Sequence, residues 1–132
     1  MSSLVRLLYP PPVVSRSAPA IVTWWERRRL RFNLIVGGTG LFTLLSVDLF
    51  GWLPPSPHPF GAPLGGVIAY AILANLFYTA GWAFEIAFNV WWKDDPPAVG
   101  PFLFRQGLLF SIGLTLLPIG LAAVEWLARI VF

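Results

Sequence analysis

Three acids fall one to each long apolar run of the chain: Asp48, Glu85 and Glu125. A carboxylate inside hydrocarbon is costly, so such acids belong to ion or proton paths, to paired contacts between helices, or to contacts with a partner or a lipid headgroup. Around Glu85 the stretch Phe77–Glu85, with Asn75 before it and Asn89 after it, is rich in polar and aromatic groups. Asn75, Tyr78, Trp82, Glu85 and Asn89 recur at three- and four-residue steps, which puts them on one helix face. They could line a small polar cavity for a quinone, lipid or pigment, or they could hydrogen-bond across a bundle. Glu85 and Tyr78 are the acid–base pair that an enzyme acting on lipid would use, but no nucleophile or metal cluster stands beside them.

The acids do not form a relay along the chain. Asp48 is expected in the outer half of the first run, Glu125 near the outer end of the third, and Glu85 toward the inner side. Arg129 follows Glu125 by four residues, the spacing of a helical ion pair. Arg105 or Arg31 is placed to reach Glu85 from the inner interface. The expectation is therefore that these acids pin helix register rather than pass protons.

Other chemistry is thinly supported. There is no cysteine and one histidine, His58, so thiolate catalysis, cysteine-bound metal and a haem held by two histidines of this chain are excluded. His58 stands in a proline-rich loop, where it could cap, meet a partner or ligate a pigment metal, and reads best as an ordinary loop residue. Gly37, Gly38 and Gly40 lack the preceding strand and following lysine of a phosphate loop. Asp94 and Asp95, before Pro96 and Pro97, suit a turn or a pair with Lys93. No catalytic or metal residue is assigned. The cofactor is unknown, and none is expected to be ligated by this chain alone.

The elements that carry these residues follow from composition. Hydrophobic residues make up 57% of 132 residues, charged residues 11%, and mean hydropathy is +0.72. Soluble domains carry about a quarter charged residues. A soluble enzyme, a disordered chain and a free nucleic-acid-binding domain are excluded, and an all-α integral membrane protein is expected. The net charge of +3 and pI near 10.0 do not change this. Arg27, Arg28, Arg29 and Arg31 are clustered beside an apolar run, where they set orientation or meet anionic lipid heads, not nucleic acid.

Residues 1–19 form an arm in which Pro10, Pro11 and Pro12 prevent a continuous helix. The arm either is disordered or lies on a neighbour, and its charge order is a poor fit to a signal peptide. Residues 20–31 read as a short interfacial amphipathic helix running into the first span. Three transmembrane helices are expected, at 34–53, within 64–92 and within 102–132, since about 20 residues at ~1.5 Å each cross the ~30 Å core. Pro118 should kink the third span or loosen one turn. The prolines of loop 54–63 and the run 93–101 separate the spans.

Flanking charges give orientation. The arginine cluster, Lys93 and Arg105 lie on one side, and loop 54–63 carries no lysine or arginine. The positive-inside rule places the N-terminus in the cytoplasm and the C-terminus opposite, as in a bacterial inner membrane. Trp24, Trp25, Trp91 and Trp92 mark an inner belt and Trp52 and Trp126 an outer one, so six of seven tryptophans fit two interfaces.

Helices in a bilayer meet through small and polar faces. Span one offers Asn33, Gly37, Gly40, Leu44, Asp48 and Gly51; span three offers Gly107, Ser111, Thr115, Pro118, Ala122, Glu125 and Arg129. With the Asn75–Asn89 face of span two, these predict a three-helix bundle with the stripes inward or against a partner subunit.

Arg31 to Asn33, with Asn75, Tyr78, Gly81 and Glu85, resembles an uncharacterised group of small bacterial multi-span membrane proteins over the first two spans. The resemblance implies no activity. The leading functional expectation is a non-catalytic accessory or structural subunit of a larger membrane complex, respiratory or photosynthetic, in contact with other integral membrane subunits and lipid. The alternative is a small ion or solute transporter active as a homo-oligomer.

Overall fold

The computed structural model describes residues 3–13, 16–55, 57–58, 61, 64–92 and 94–132. The chain is all-α: α1 is Ser3–Leu8, α2 Ala18–Trp52, α3 Leu64–Trp91 and α4 Gly100–Val131. Among the described residues α2, α3 and α4 are long and apolar enough to cross a membrane. The class expected from composition is the class observed.

Segment 20–31 is helical and continues into the first span without a break, so α2 has 35 residues and a length of about 52 Å. That exceeds the ~30 Å hydrocarbon core, so the arginine-rich first turns extend beyond it. Pro19 stands in its first turn, where a missing N–H is harmless and φ is already helical. α4 starts the same way at Pro101 and runs through Pro118 as one helix. Lys93, used above for orientation, lies outside the described residues.

The three long helices run up, down and up. Trp25 of α2, Glu85 of α3 and Gly100 of α4 meet at one end. Phe50 of α2 and Trp126 of α4 meet at the other, with ring centroids 6.0 Å apart. The core is a narrow seam of Ile21, Trp25, Phe32, Val36, Tyr78, Phe104 and Leu108. Most other large apolar side chains face outward, as they do when lipid is the solvent.

The arm folds back on its own chain. Pro10 is buried, Leu7 and Val13 pack on the core seam, and Trp24 Nε1 donates to Pro11 O at 2.8 Å. Arg105 of α4 stacks over the Tyr9 ring at 5.0 Å. The prolines break helical continuity as expected, but the six residues before them form α1.

The packing faces match two of the predicted stripes in part. On α2 the buried residues are Ile21, Trp25, Phe32, Val36, Thr43 and Gly51. Of the predicted stripe, Gly51 is buried and Asn33, Gly40, Leu44 and Asp48 are half-buried, while the deeply buried Phe32, Val36 and Thr43 lie one residue, about 100°, before Asn33, Gly37 and Leu44. Gly37 is exposed, and a Cβ built there meets nothing within 4 Å; Gly40 lies toward α4, with Thr115 Cγ2 at 3.8 Å from its built Cβ. On α4, Ser111, Thr115, Ala122 and Arg129 are at least half-buried, while Gly107, Pro118 and Glu125 face outward. Phe32 packs on Tyr78 of α3, with ring centroids 4.7 Å apart, while Gly40 and Thr43 both lie against Thr115 of α4. On α3 the predicted face is the observed one: Tyr78 and Glu85 are buried, and Asn75, Trp82 and Asn89 are half-buried.

Candidate functional site

The polar side chains inside the bundle gather into ties between helices. The first lies at the arm end. Trp25 is 2% exposed and Glu85 3% exposed, and the indole Nε1 donates to Glu85 Oε2 at 2.6 Å. The Gly100 backbone N–H reaches the same carboxylate. Gly100 opens α4, where unsatisfied N–H groups and the helix dipole favour an anion, so the carboxylate of α3 caps α4. Tyr78 closes the group by donating from its hydroxyl to Trp25 O at 2.5 Å. The Trp25 ring meets Tyr78 edge-on at 5.2 Å and Phe104 at 6.0 Å.

Two glycines make this tie possible. A Cβ at Gly100 would lie 2.5 Å from Glu85 Oε2, and one at Gly81 would lie 2.9 Å from Trp25 Cη2. Each lets a backbone approach a buried side chain.

One to two turns deeper, Arg29 joins α2 to α3. It pairs with Glu26 at 2.7 Å and donates to Thr79 Oγ1 at 2.9 Å and Asn75 Oδ1 at 3.3 Å. Its guanidinium also lies 4.9 Å from the Tyr78 ring centroid. Asn33 and Asn75 exchange reciprocal amide bonds of 2.9 and 3.2 Å. Deeper still, Thr43 Oγ1 donates to Thr115 O at 2.9 Å. The Tyr70 and Thr115 hydroxyls are hydrogen-bonded, and Tyr70 also donates to Ser111 O at 3.2 Å. Thus Thr43, Tyr70 and Thr115 bring all three long helices together a second time.

At the far end, Arg129 Nη2 donates to Phe50 O at 2.7 Å and Trp126 Nε1 to Pro54 O at 3.1 Å. Glu125, expected beside Arg129, lies 3.3 Å from His58 Nε2. His58 is held by its own backbone N–H, which donates to Gly51 O at 2.9 Å.

The partners expected of Glu85 are corrected. Trp25 and Gly100 hold it, while Arg105 lies on Tyr9 and Arg31 is exposed. Trp25 is likewise a core residue rather than an interface anchor. Trp24 is half-buried under Arg28, whose guanidinium sits 3.9 Å from its ring centroid, and Arg28 also donates to Trp24 O. Arg27, Trp52, Trp91 and Trp92 are exposed in the manner of anchors. Trp92 ends a stacked ladder with Phe84 and Phe88. Asp48 is half-buried and makes no hydrogen bond or ion pair among the described residues. Asn89 donates to Glu85 O, but its Oδ1 and the Trp82 Nε1 have no partner among the described residues.

Gly100, Thr43 and Tyr70 escaped the reading of the sequence. Gly100 before Pro101 signals only a helix start. Thr43 stands one turn from Gly40 within an apolar run, and nothing local marks it for contact with a residue 72 positions away. Chemically, the ties orient and close, and at the far end Phe50, Gly51, His58, Glu125 and Arg129 line a cavity of about 230 Å³. Glu85 lies at one end and Asp48 and Glu125 toward the other, so no chain of carboxylates links the two faces. Among the described residues no group of three or more His, Cys, Asp or Glu is placed to hold a metal.

Fold and ties together define an all-α membrane bundle of three span-capable helices locked by side-chain hydrogen bonds. No family model, curated protein or solved structure matches the chain.

Proposed function

We propose that this chain is a non-catalytic structural subunit of a larger membrane complex. The observation that carries the reading is the use of the bundle's polar groups. Glu85, Trp25, Tyr78, Arg29, Asn75, Thr43 and Thr115 are all engaged in joining helices. A catalyst or conduit needs such groups facing a substrate path. A scaffold needs them holding a fixed shape, with apolar flanks turned to lipid and to other subunits. The flank of α3 suits this: 6% of its most apolar stretch is buried, and Phe77, Phe84 and Trp91 stand out from it.

The proposed setting is a bacterial inner membrane with the N-terminus cytoplasmic. Its support is the arginine cluster at one end of α2 and the resemblance carried by Arg31 to Asn33, Asn75, Tyr78, Gly81 and Glu85. Deleting the gene tests the reading. The expected result is reduced assembly of one membrane complex on native gels, with the specific activity of its assembled remainder unchanged. Normal amounts of every membrane complex would contradict it.

A second reading, a transporter built as a homo-oligomer, rests on Asp48, the membrane acid without a partner among the described residues. Flux through liposomes that is unchanged by Asp48→Asn would remove that support.

A further inference from the structure

The arm and the first turns of α2 enclose a groove of about 770 Å³. One wall is apolar, from Pro11, Pro12 and Val13; the other carries Arg27, Arg28 and Arg31, with Thr23 at its edge. No acid lines it. Glu26 is drawn away to Arg29, and Asp95 is 3.9 Å from Arg16. Arg27 and Arg31 are exposed and make no ion pair or hydrogen bond among the described residues. Three like charges on one helix face repel, and a placement without a counter-charge leaves room for an external anion.

The same face continues below the arginines as a lane of different character. At ~100° per residue, Leu34, Gly38, Leu41 and Leu45 lie within about 40° of Arg27 around the helix axis. Leu34 is 66% exposed and Leu45 63%, and a Cβ at Gly38 meets nothing within 4 Å. From Arg31 to Leu45 the helix rises about 21 Å. One leaflet of hydrocarbon is ~15 Å deep, half of the ~30 Å core. A cationic groove therefore stands directly over an open apolar lane long enough for an acyl chain.

We infer that this face of α2 is a binding site for an anionic phospholipid, with its phosphate between Arg27 and Arg31 and an acyl chain along Leu34, Gly38, Leu41 and Leu45. Arg28 is fixed on Trp24 and serves as a wall of the site; Arg27 and Arg31 are free to close on the phosphate. The arm supplies the second wall, which separates a built site from a basic stripe on an open helix. The inference is independent of the subunit reading, since the groove belongs to this chain alone.

The test is native mass spectrometry of the full chain released from nanodiscs of equal parts phosphatidylglycerol and phosphatidylcholine. Retention of one phosphatidylglycerol in preference to phosphatidylcholine is expected. Arg27→Gln and Arg31→Gln should each lower that retention about tenfold, while Arg6→Gln, which removes the same charge outside the groove, should leave it unchanged. Both substituted residues are exposed, and an unaltered near-ultraviolet circular dichroism spectrum verifies the fold. Leu34→Trp, which obstructs the lane without changing charge, should also reduce retention. Equal retention of the two lipids, equal losses for Arg6→Gln and Arg31→Gln, or full displacement by millimolar inorganic phosphate would each overturn the inference.

Discussion

At the scale of single residues, the bundle depends on one indole, one carboxylate and the glycines that admit them. Gly100→Ala places a methyl group 2.5 Å from Glu85 Oε2 in a buried site where α4 begins. It should destabilise the bundle by about 1–3 kcal/mol, the usual range for overpacking. Gly37→Ala is the contrasting change: the same added methyl enters open space on an exposed helix face. It should be neutral or stabilising by less than ~1 kcal/mol. Reversible unfolding in mixed detergent distinguishes the two, and equal effects would contradict the packing described. Trp25→Phe keeps an aromatic ring but removes the donor to Glu85 Oε2 and part of the buried ring volume beside Gly81. A loss of about 1–3 kcal/mol is expected from the unsatisfied carboxylate, and Glu85→Gln in the same background should recover part of it.

At the scale of elements, the helices were legible and their faces only partly so. Apolar runs between proline clusters locate three spans because the bilayer sets their length. The α3 face was legible because Asn75, Tyr78, Trp82, Glu85 and Asn89 are polar or amphipathic at helical spacing, and a polar group in hydrocarbon must turn inward. The α2 face is legible only in part. Its glycines suggest one close-packed face, and Gly40 and Gly51 lie on it, but Gly37 is exposed while Phe32, Val36 and Thr43, one residue out of phase, are more deeply buried. The Trp25–Glu85 bond joins residues 60 positions apart, and no local pattern encodes it. The reciprocal amides of Asn33 and Asn75 give this scale its own test. Asn75→Ala should weaken the α2–α3 contact by about 0.6 kcal/mol and at most ~1.7, the range for hydrogen bonds between membrane helices. The Asn33→Ala, Asn75→Ala double variant should lose no more than the larger single change. Fully additive losses would show that the amides do not act as a pair.

At the scale of the whole molecule, three long helices are tied by polar side chains and turn apolar flanks outward. The natural chain contains no cysteine, so single introduced cysteines report topology without background. Asp95→Cys and Gly61→Cys should label from opposite sides of the membrane; labelling of both from one face would contradict the up-down-up arrangement. Gentle extraction of the native protein into nanodiscs, followed by native mass spectrometry, tests the proposed subunit role. As a structural subunit, the chain should travel at fixed stoichiometry with a larger membrane complex. A homo-oligomer or monomer free of other chains, recovered from membranes whose complexes remain intact, would contradict it.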